Sequence, residues 1–162
     1  MNMPHQAYVA IGANLGDPVT AVRNAIDRLA MLDKAHLTVA SSLYRTTPVG
    51  LLNQPDFINA VVCLETALDP HQLLAALFAL EAEFGRVRKE KNAPRTLDLD
   101  LLLFDQLILQ TPQLTLPHPR LHSRAFVLVP LAEIAADLDI PGRGKLSAWL
   151  PAVANQVVTR LP

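Results

Sequence analysis

Two aspartates one residue apart are the side chains of this sequence best suited to chemistry. Asp98 and Asp100 lie in a run of alternating leucines that predicts a β-strand over 96–104. Side chains two positions apart on a strand point to one face, so the two carboxylates project together. We expect the opposite face to carry four leucines: Leu97, Leu99, Leu101 and Leu103. Ionised carboxylates this close repel each other, which favours a bound Mg²⁺ with oxygen ligands; pairing with arginines at a solvent edge is the alternative.

Positive charge is concentrated immediately before this strand. Five basic residues stand against Glu90 alone between 86 and 95: Arg86, Arg88, Lys89, Lys91 and Arg95. Carboxylate-held metal next to arginines and lysines is an arrangement that binds a polyphosphate, whereas the run alone would also fit a solvated loop. The sequence contains no Gly-x-x-x-x-Gly-Lys-Ser/Thr motif, so charge for a nucleotide must come from side chains and metal.

Two further positions have residue types that could bind a ligand. Asn59 interrupts an apolar run, and Phe57 shares its face of the predicted strand. An amide beside an aromatic ring suits a flat heteroaromatic ligand, although a core asparagine with satisfied hydrogen bonds is the alternative. His118, between two prolines and near Arg120 and Arg124, could donate to a phosphate or serve as a structural histidine in a turn.

The elements that must position these residues follow a recognisable order. Apolar periodicity predicts strands over 7–11, 37–44, 57–64 and 96–104. Asp-Pro helix starts, with Gly85 as a helix stop, predict helices over 17–33 and 69–84. The remaining segments over 45–55 and 86–94 are predicted loops. This βαββαβ order is that of a ferredoxin-like fold, an antiparallel sheet with both helices on one face.

The last third of the chain predicts a covering layer. Residues 107–109 and 114–116 predict a hairpin, and 121–137 predict one or two helices interrupted by Pro130. Helices on the open face of the sheet would give a three-layer α/β/α sandwich, within a single domain over 1–162.

Composition restricts the class of protein. The 162 residues are 51% hydrophobic and 18% charged, enough apolar surface for a folded core. A net charge of −1 gives no general attraction to nucleic acid or anionic membranes. We see no secretory signal or spanning segment, and a single cysteine, Cys63, cannot form an intramolecular disulfide. We expect a monomeric cytoplasmic protein without nucleic-acid or membrane partners.

Five motifs in order resemble the 6-hydroxymethyl-7,8-dihydropterin pyrophosphokinase family, which transfers pyrophosphate from ATP to a pterin alcohol in folate biosynthesis. The resemblance runs from about residue 8 to 138, and its most specific part is Lys-Asn-Ala-Pro-Arg-Thr-Leu-Asp-Leu-Asp-Leu-Leu at 91–102. The other four motifs are at 10–16, 42–46, 54–59 and 116–120.

The resemblance implies roles for individual residues. Asp98 and Asp100 would hold two Mg²⁺ ions that bridge ATP, while Arg86 and Arg95 would steady the phosphates during transfer. The implied ATP-binding residues are Arg88, Lys89, Leu114, Thr115, His118 and Arg124. The implied pterin-binding residues are Thr46, Val49, Phe57, Asn59 and Phe126, with the pterin stacked between the two phenylalanines. Flexible loops over 45–54 and 86–94 would close over the substrates.

Two other functions use the same features. A metal-dependent phosphohydrolase could use the Asp-x-Asp pair to release phosphate from ATP without a pterin. Ferredoxin-like domains also serve as non-catalytic ligand-binding or RNA-binding modules. An RNA-binding sheet displays several aromatic residues on its central strands, whereas the strands over 7–12 and 96–104 offer only Tyr8 and Phe104.

Overall fold

A computed structural model of the chain describes residues 2–47, 55–85 and 97–162. The predicted loop over 86–94, and all but the edges of the loop over 45–55, lie outside the described residues. Among the described residues, none of the helices has the length and hydrophobicity of a membrane-spanning segment.

The described residues form ten strands and three α-helices. The strands are β1 His5–Ala13, β2 Ala35–Ala40, β3 Tyr44–Thr46, β4 Phe57–Thr66, β5 Asp98–Phe104, β6 Leu109–Gln110, β7 Thr115–Leu116, β8 Asp139–Ile140, β9 Gly144–Lys145 and β10 Val158–Arg160. The helices are α1 Pro18–Ala30, α2 Pro70–Glu83 and α3 Ala125–Ile134. Short 3₁₀ turns occupy Leu121–Ser123, Leu146–Trp149 and Pro151–Val153.

One antiparallel sheet dominates the fold. Its strand order is β10-β3-β4-β1-β5, and β2 also pairs with β4. All nine residues of β1 pair with β4, and β1 pairs with β5 on its other side. β1 therefore lies between the strand of Asn59 and the strand of the two aspartates, within a mixed α+β fold.

Both predicted helix starts are confirmed, because each is specified by local hydrogen bonds. The Asp17 side chain accepts a hydrogen bond from the backbone N–H of Thr20 at 3.2 Å. At α2, Asp69 and Gln72 form a reciprocal capping box. Gly85 follows α2 with φ +79°, a left-handed conformation that glycine adopts without strain.

The alternation of side chains along the strands supplies two cores. On one face α1 and α2 pack over Val9, Ile11 and Leu99. On the other face α3 and the C-terminal segment pack over Tyr8, Val61 and Cys63. The cores are separate because odd and even positions of β1 point to opposite faces.

The predicted strand over 37–44 is instead two strands, β2 and β3, with a break at 41–43. Ser41 produces the break: its Oγ accepts a hydrogen bond from the N–H of Val61 at 2.9 Å and donates to the carbonyl of Ser42 at 2.7 Å. A side chain thus takes the place of a backbone group in the ladder, and the chain turns away.

The prediction that Pro130 interrupts the helix over 121–137 is wrong. α3 continues through Pro130, and the break falls earlier, between the 3₁₀ turn at Leu121–Ser123 and Ala125. A proline removes one backbone donor, here the bond to the carbonyl of residue 126. Burial of Leu128 and Leu131 in the second core offsets that loss.

The hairpin predicted over 107–116 is present in shorter form, with Leu109 opposite Leu116. No element was predicted for the last residues, yet β10 pairs with β3 and places Val158 opposite Thr46. This pairing returns the end of the chain to the sheet beside the candidate site.

Candidate active site

The two aspartates of β5 line one cavity of about 380 Å³, which we call the central cavity. Strand alternation places Asp98 and Asp100 there together, while Leu99 and Leu101 lie in the first core. The predicted leucine face is wrong at its last member. The register shifts by one residue opposite Tyr8 and Val9, so Leu103 lies in the second core with Leu102.

The floor of the central cavity is a row of small residues on β1. Gly12 pairs with Asn59 on one side and with Asp98 on the other, and Ala10 pairs with Asp100. A Cβ at Gly12 would lie 3.0 Å from Oδ1 of Asn59. Glycine at this position therefore leaves the space in which the Asn59 amide and the Asp98 carboxylate share one cavity.

Asn59 is held in a defined orientation. It is 5% exposed, and its Nδ2 donates a hydrogen bond to Oγ1 of Thr46, also 5% exposed, at 2.8 Å. Both residues line the central cavity, together with Thr47. A buried amide with one fixed bond has capacity for further hydrogen bonds to a ligand.

Aromatic rings from different elements reach the same cavity. Phe57 comes from the start of β4, and Phe126 from the first turn of α3. The segment before Phe57 is anchored to the residue that follows β1, because Nδ2 of the buried Asn14 donates to the carbonyl of Pro55 at 3.0 Å. The cavity thus has flat apolar surfaces beside an oriented amide.

The side of the cavity next to α3 carries positive charge. Arg120 and Arg124 line the cavity, and the guanidinium carbon of Arg124 lies 5.4 Å from the centroid of the Phe126 ring, a cation–π distance. The cavity therefore joins two carboxylates and two guanidinium groups in one space, which suits a ligand with phosphates and a metal ion.

His118 lies beside this wall rather than in the cavity lining. Burial, followed by the charges of Arg124 and Arg120, lowers the pKa of His118 to about 4, and the charge of Asp98 acts in the opposite direction. The backbone N–H of Arg120 donates to Nδ1 of His118 at 3.1 Å. The ring is therefore neutral at pH 7 and carries its proton on Nε2, where it can donate.

Two predicted ATP-binding residues lie in the β6–β7 hairpin, outside the lining of the central cavity. Leu114 packs in the first core, and its carbonyl accepts from the backbone N–H of Thr111 at 2.9 Å. Thr115 pairs with Gln110 across the hairpin. Five predicted site residues lie outside the described residues: Val49, Arg86, Arg88, Lys89 and Arg95.

The structure adds a buried carboxylate that the sequence analysis missed. Glu81 is 2% exposed, and its Oε2 accepts a hydrogen bond from the backbone N–H of Leu99 at 2.7 Å. Leu99 separates the two aspartates, and β5 is at the edge of the sheet, where backbone groups need partners. The sequence does contain a pattern that indicates this burial. Glu81 lies on the same face of α2 as Leu73 and Leu77, so it is a charged residue on an apolar helix face.

The second missed residue is Gln156, which lines the central cavity from the C-terminal segment. Its Oε1 accepts from the N–H of Ala125 at 3.0 Å, and its Nε2 donates to the carbonyl of Ser123 at 3.1 Å. Nothing in the local sequence indicates this contact, because the partners are more than thirty positions away.

The donor set fits magnesium held jointly with a substrate. Within residues 2–47, 55–85 and 97–162 there is no group of three or more His, Cys, Asp or Glu side chains that could hold a metal ion. Mg²⁺ is typically bound through one or two carboxylates and substrate phosphates, with water completing its shell. Asp98 and Asp100, both oxygen donors on one cavity wall, fit that mode.

Residues 8–136 match the family model of 7,8-dihydro-6-hydroxymethylpterin-pyrophosphokinase (HPPK). The chain is 44% identical over 160 residues to the 2-amino-4-hydroxy-6-hydroxymethyldihydropteridine pyrophosphokinase of Pseudomonas aeruginosa, covering 99% of each protein. It is 42% identical over 155 residues to the enzyme of the same name from Haemophilus influenzae, covering 96% of this chain and 97% of the relative.

Solved structures resemble the fold at low sequence identity. One is Plasmodium falciparum HPPK-DHPS wild type with pterin and p-hydroxybenzoate, with a TM-score of 0.72, 14% identity and 93% of this chain covered. Another is an HPPK-DHPS in complex with substrates, with a TM-score of 0.73, 13% identity and 95% coverage. The chain spans 43% and 44% of the length of those two proteins.

Proposed function

Because the chain belongs to the 7,8-dihydro-6-hydroxymethylpterin-pyrophosphokinase family, we propose that it transfers pyrophosphate from ATP to 6-hydroxymethyl-7,8-dihydropterin in folate biosynthesis. The products are AMP and the pterin diphosphate. The observation that carries the proposal is the central cavity, where an oriented amide and two aromatic rings adjoin two carboxylates and two arginines.

The pterin occupies the aromatic end of the cavity. Phe57 and Phe126 offer ring faces for stacking, and Asn59 offers the hydrogen-bonding capacity that the pterin edge requires. Thr46 holds the Asn59 amide in place. The family resemblance assigns Val49 to the same edge of the pterin. The row of Gly12 and Ala10 leaves room for the ring and its hydroxymethyl group.

The phosphates of ATP occupy the charged end. Asp98 and Asp100 would hold Mg²⁺, two ions in this proposal; when bound, the metal would supply positive charge that neutralises the phosphates and lowers the pKa of the attacking alcohol. Arg124 binds phosphate from the α3 side of the cavity. Arg86, Arg88, Lys89 and Arg95 add positive charge from the segment before β5.

His118 contributes as a neutral hydrogen-bond donor. Its pKa of about 4 keeps the ring uncharged at pH 7, and its Nε2–H is available to a phosphate oxygen because Nδ1 is taken by Arg120. The β6–β7 hairpin, with Leu114 and Thr115, flanks the adenine.

The reaction is a single in-line displacement. The hydroxymethyl oxygen of the pterin attacks the β-phosphorus of ATP, the bond from that phosphorus to the α,β-bridging oxygen breaks, and AMP leaves with that oxygen. The alcohol proton passes to solvent, and we assign no general base. The chain's own part is to orient the alcohol, exclude water and stabilise charge on the bridging oxygen.

The strand order β5-β1-β4 followed by β2 and β3, with α1 and α2 on one face, supports a ferredoxin-like core. α3 and the C-terminal segment on the other face support a three-layer α/β/α sandwich. We infer that residues 1–162 act as one domain, as a monomer in the cytoplasm, with ATP and the pterin as partners and no nucleic acid or membrane.

Product analysis tests this function. With Mg²⁺, the reduced hydroxymethylpterin and ATP labelled in its β-phosphate, we expect AMP and the label on the pterin. Inorganic phosphate released without pterin would instead show a phosphohydrolase. Binding of both ligands without turnover would show a non-catalytic module.

A further inference from the structure

The first turn of α3 is held by a side chain from the far end of the chain. The Gln156 amide accepts from the N–H of Ala125 and donates to the carbonyl of Ser123, at 3.0 and 3.1 Å. Those groups belong to the two peptide units that flank Arg124. One amide therefore fixes the backbone on both sides of a single arginine.

This contact compensates for an unusual residue at the helix start. The first N–H groups of a helix lack intrahelical partners, and Ser, Thr, Asp or Asn at the N-cap usually accepts one of them. The N-cap of α3 is Arg124, whose side chain carries donors and no acceptor. An acceptor for the N–H of Ala125 must therefore come from another part of the chain, and Gln156 supplies it.

The same contact determines where two cavity residues point. Arg124 precedes Ala125 and Phe126 follows it, and both line the central cavity, as does Gln156 itself. Rotation of either flanking peptide unit would redirect the Arg124 side chain and break its 5.4 Å approach to the Phe126 ring.

The segment that carries Gln156 is itself fixed to the opposite wall. Two residues after Gln156, Val158 begins β10 and pairs with Thr46, the hydrogen-bond partner of Asn59. Residues 156–158 thus join the α3 wall of the cavity to the β3 wall. The match to the family model covers residues 8–136 and includes none of this segment.

We propose that Gln156 is a positioning residue that sets the direction in which Arg124 and Phe126 face the substrates. The proposal rests on the proposed function for the identity of those substrates. The structural part of the proposal does not depend on that identity: Gln156 caps the start of α3 and thereby orients Arg124 and Phe126.

The test compares Gln156→Met, which keeps side-chain length and loses both hydrogen bonds, with Gln156→Glu, which keeps only the acceptor for Ala125. Asn155→Ala, the exposed neighbour on the same segment, is the control. Losing bonds worth about 1 kcal/mol should raise the KM for the pterin roughly fivefold in Gln156→Met and less in Gln156→Glu. Asn155→Ala should match wild type, and the two Gln156 variants should melt no more than about 4 °C below it, the shift that about 1 kcal/mol produces in a chain of this size.

Amide hydrogen exchange gives a readout that is independent of activity. The N–H of Ala125 should exchange faster in Gln156→Met than in wild type. Unchanged exchange, or a wild-type KM in Gln156→Met with only a lower melting temperature, would overturn the positioning role. Failure of wild type to form AMP would instead overturn the proposed function. The exchange rate of the Ala125 N–H would then decide whether Gln156 is a positioning residue.

Discussion

At the scale of single residues, Gly12 is the position where one methyl group decides the shape of the site. Gly12 lies between Asn59 and Asp98, and a Cβ added there would stand 3.0 Å from Oδ1 of Asn59, closer than side chains normally pack. Gly12→Ala should displace the Asn59 amide and weaken pterin binding about tenfold, while ATP binding changes less than about twofold. Calorimetric titration with each ligand checks this; equal losses for both would point to damage of the whole sheet.

The two cavity phenylalanines should act on one ligand only. Replacing Phe57 or Phe126 with Ala removes a stacking face worth about 0.5–1.5 kcal/mol beyond burial, so pterin affinity should fall roughly tenfold with ATP affinity almost unchanged. Phe57→Tyr keeps the ring and should bind pterin as wild type does. Loss of affinity in Phe57→Tyr would argue that something other than stacking is at work.

His118 should make stability depend on pH in a defined window. Burial and the two arginines lower its pKa to about 4 in the folded state, against about 6.5 when unfolded. Below pH 6.5 His118 binds a proton in the unfolded chain but not in the folded chain. The contribution of His118 to the free energy of unfolding therefore falls as pH drops from 6.5 to 4, and it is constant outside that window.

The pKa difference sets the size of this change in the free energy of unfolding, on the order of 3 kcal/mol across the window. His118→Gln should remove that part of the slope in the free energy of unfolding, measured by urea denaturation from about pH 4 to 7. His71→Gln, in an exposed part of α2, controls for loss of a histidine as such. A wild-type slope in His118→Gln would contradict the assignment.

At the scale of elements, α2 positions β5 through one side chain. Glu81→Ala leaves the N–H of Leu99 without its acceptor in a buried place, which should cost about 1–3 kcal/mol of stability. Because Leu99 separates the two aspartates, Mg²⁺-dependent ATP binding should also weaken several-fold. Glu81→Gln retains an acceptor oxygen and should recover most of both losses.

Glu83 provides the matched control on the same helix. Its side chain is 51% exposed and pairs with Arg28 at 2.8 Å, and exposed ion pairs contribute about 0–1 kcal/mol. Glu83→Ala should therefore leave ATP binding unchanged. Similar losses in Glu81→Ala and Glu83→Ala would show that the helix, not the hydrogen bond to Leu99, is responsible.

The elements that could be predicted from the sequence are those specified locally. α1 and α2 begin at Asp-Pro pairs whose caps are made within three residues, and β4 and β5 show clear apolar patterns. The elements that could not be predicted depend on distant contacts. The break after β2 depends on the hydrogen bond between Ser41 and Val61, and the three residues of β10 form a strand only because they pair with β3.

The same division holds for the site. Asp98 and Asp100 were predictable because strand periodicity alone puts both side chains on one face. Gln156 and Glu81 were not predicted, since each acts on a backbone group far along the chain, Ala125 and Leu99 respectively. The bulge opposite Tyr8 and Val9 likewise arises from pairing between strands and moves Leu103 to the other core.

At the scale of the whole molecule, the two faces of the sheet differ: one carries the central cavity and the other carries the apolar core under α1 and α2. Strands β4, β1 and β5 place an amide, a small floor and two carboxylates side by side, and α3 closes the space with an aromatic ring and a cation. The α1 and α2 side of the sheet supplies the apolar core that keeps these strands in register. The central cavity thus lies on the face of the sheet that α3 covers, and α1 and α2 pack on the other face.

The central claim is that this cavity transfers pyrophosphate by means of its two carboxylates, and Asp98→Asn and Asp100→Asn test it most directly. Each change removes one charge with little change of shape, so pterin-dependent AMP formation should fall by about 10²–10⁴, corresponding to ~3–5 kcal/mol, and extra Mg²⁺ should restore it only in part. The melting temperature of both variants should stay within about 3 °C of wild type. Near-normal AMP formation together with a markedly lower melting temperature would contradict the claim and assign the aspartates to a structural ion-pair role.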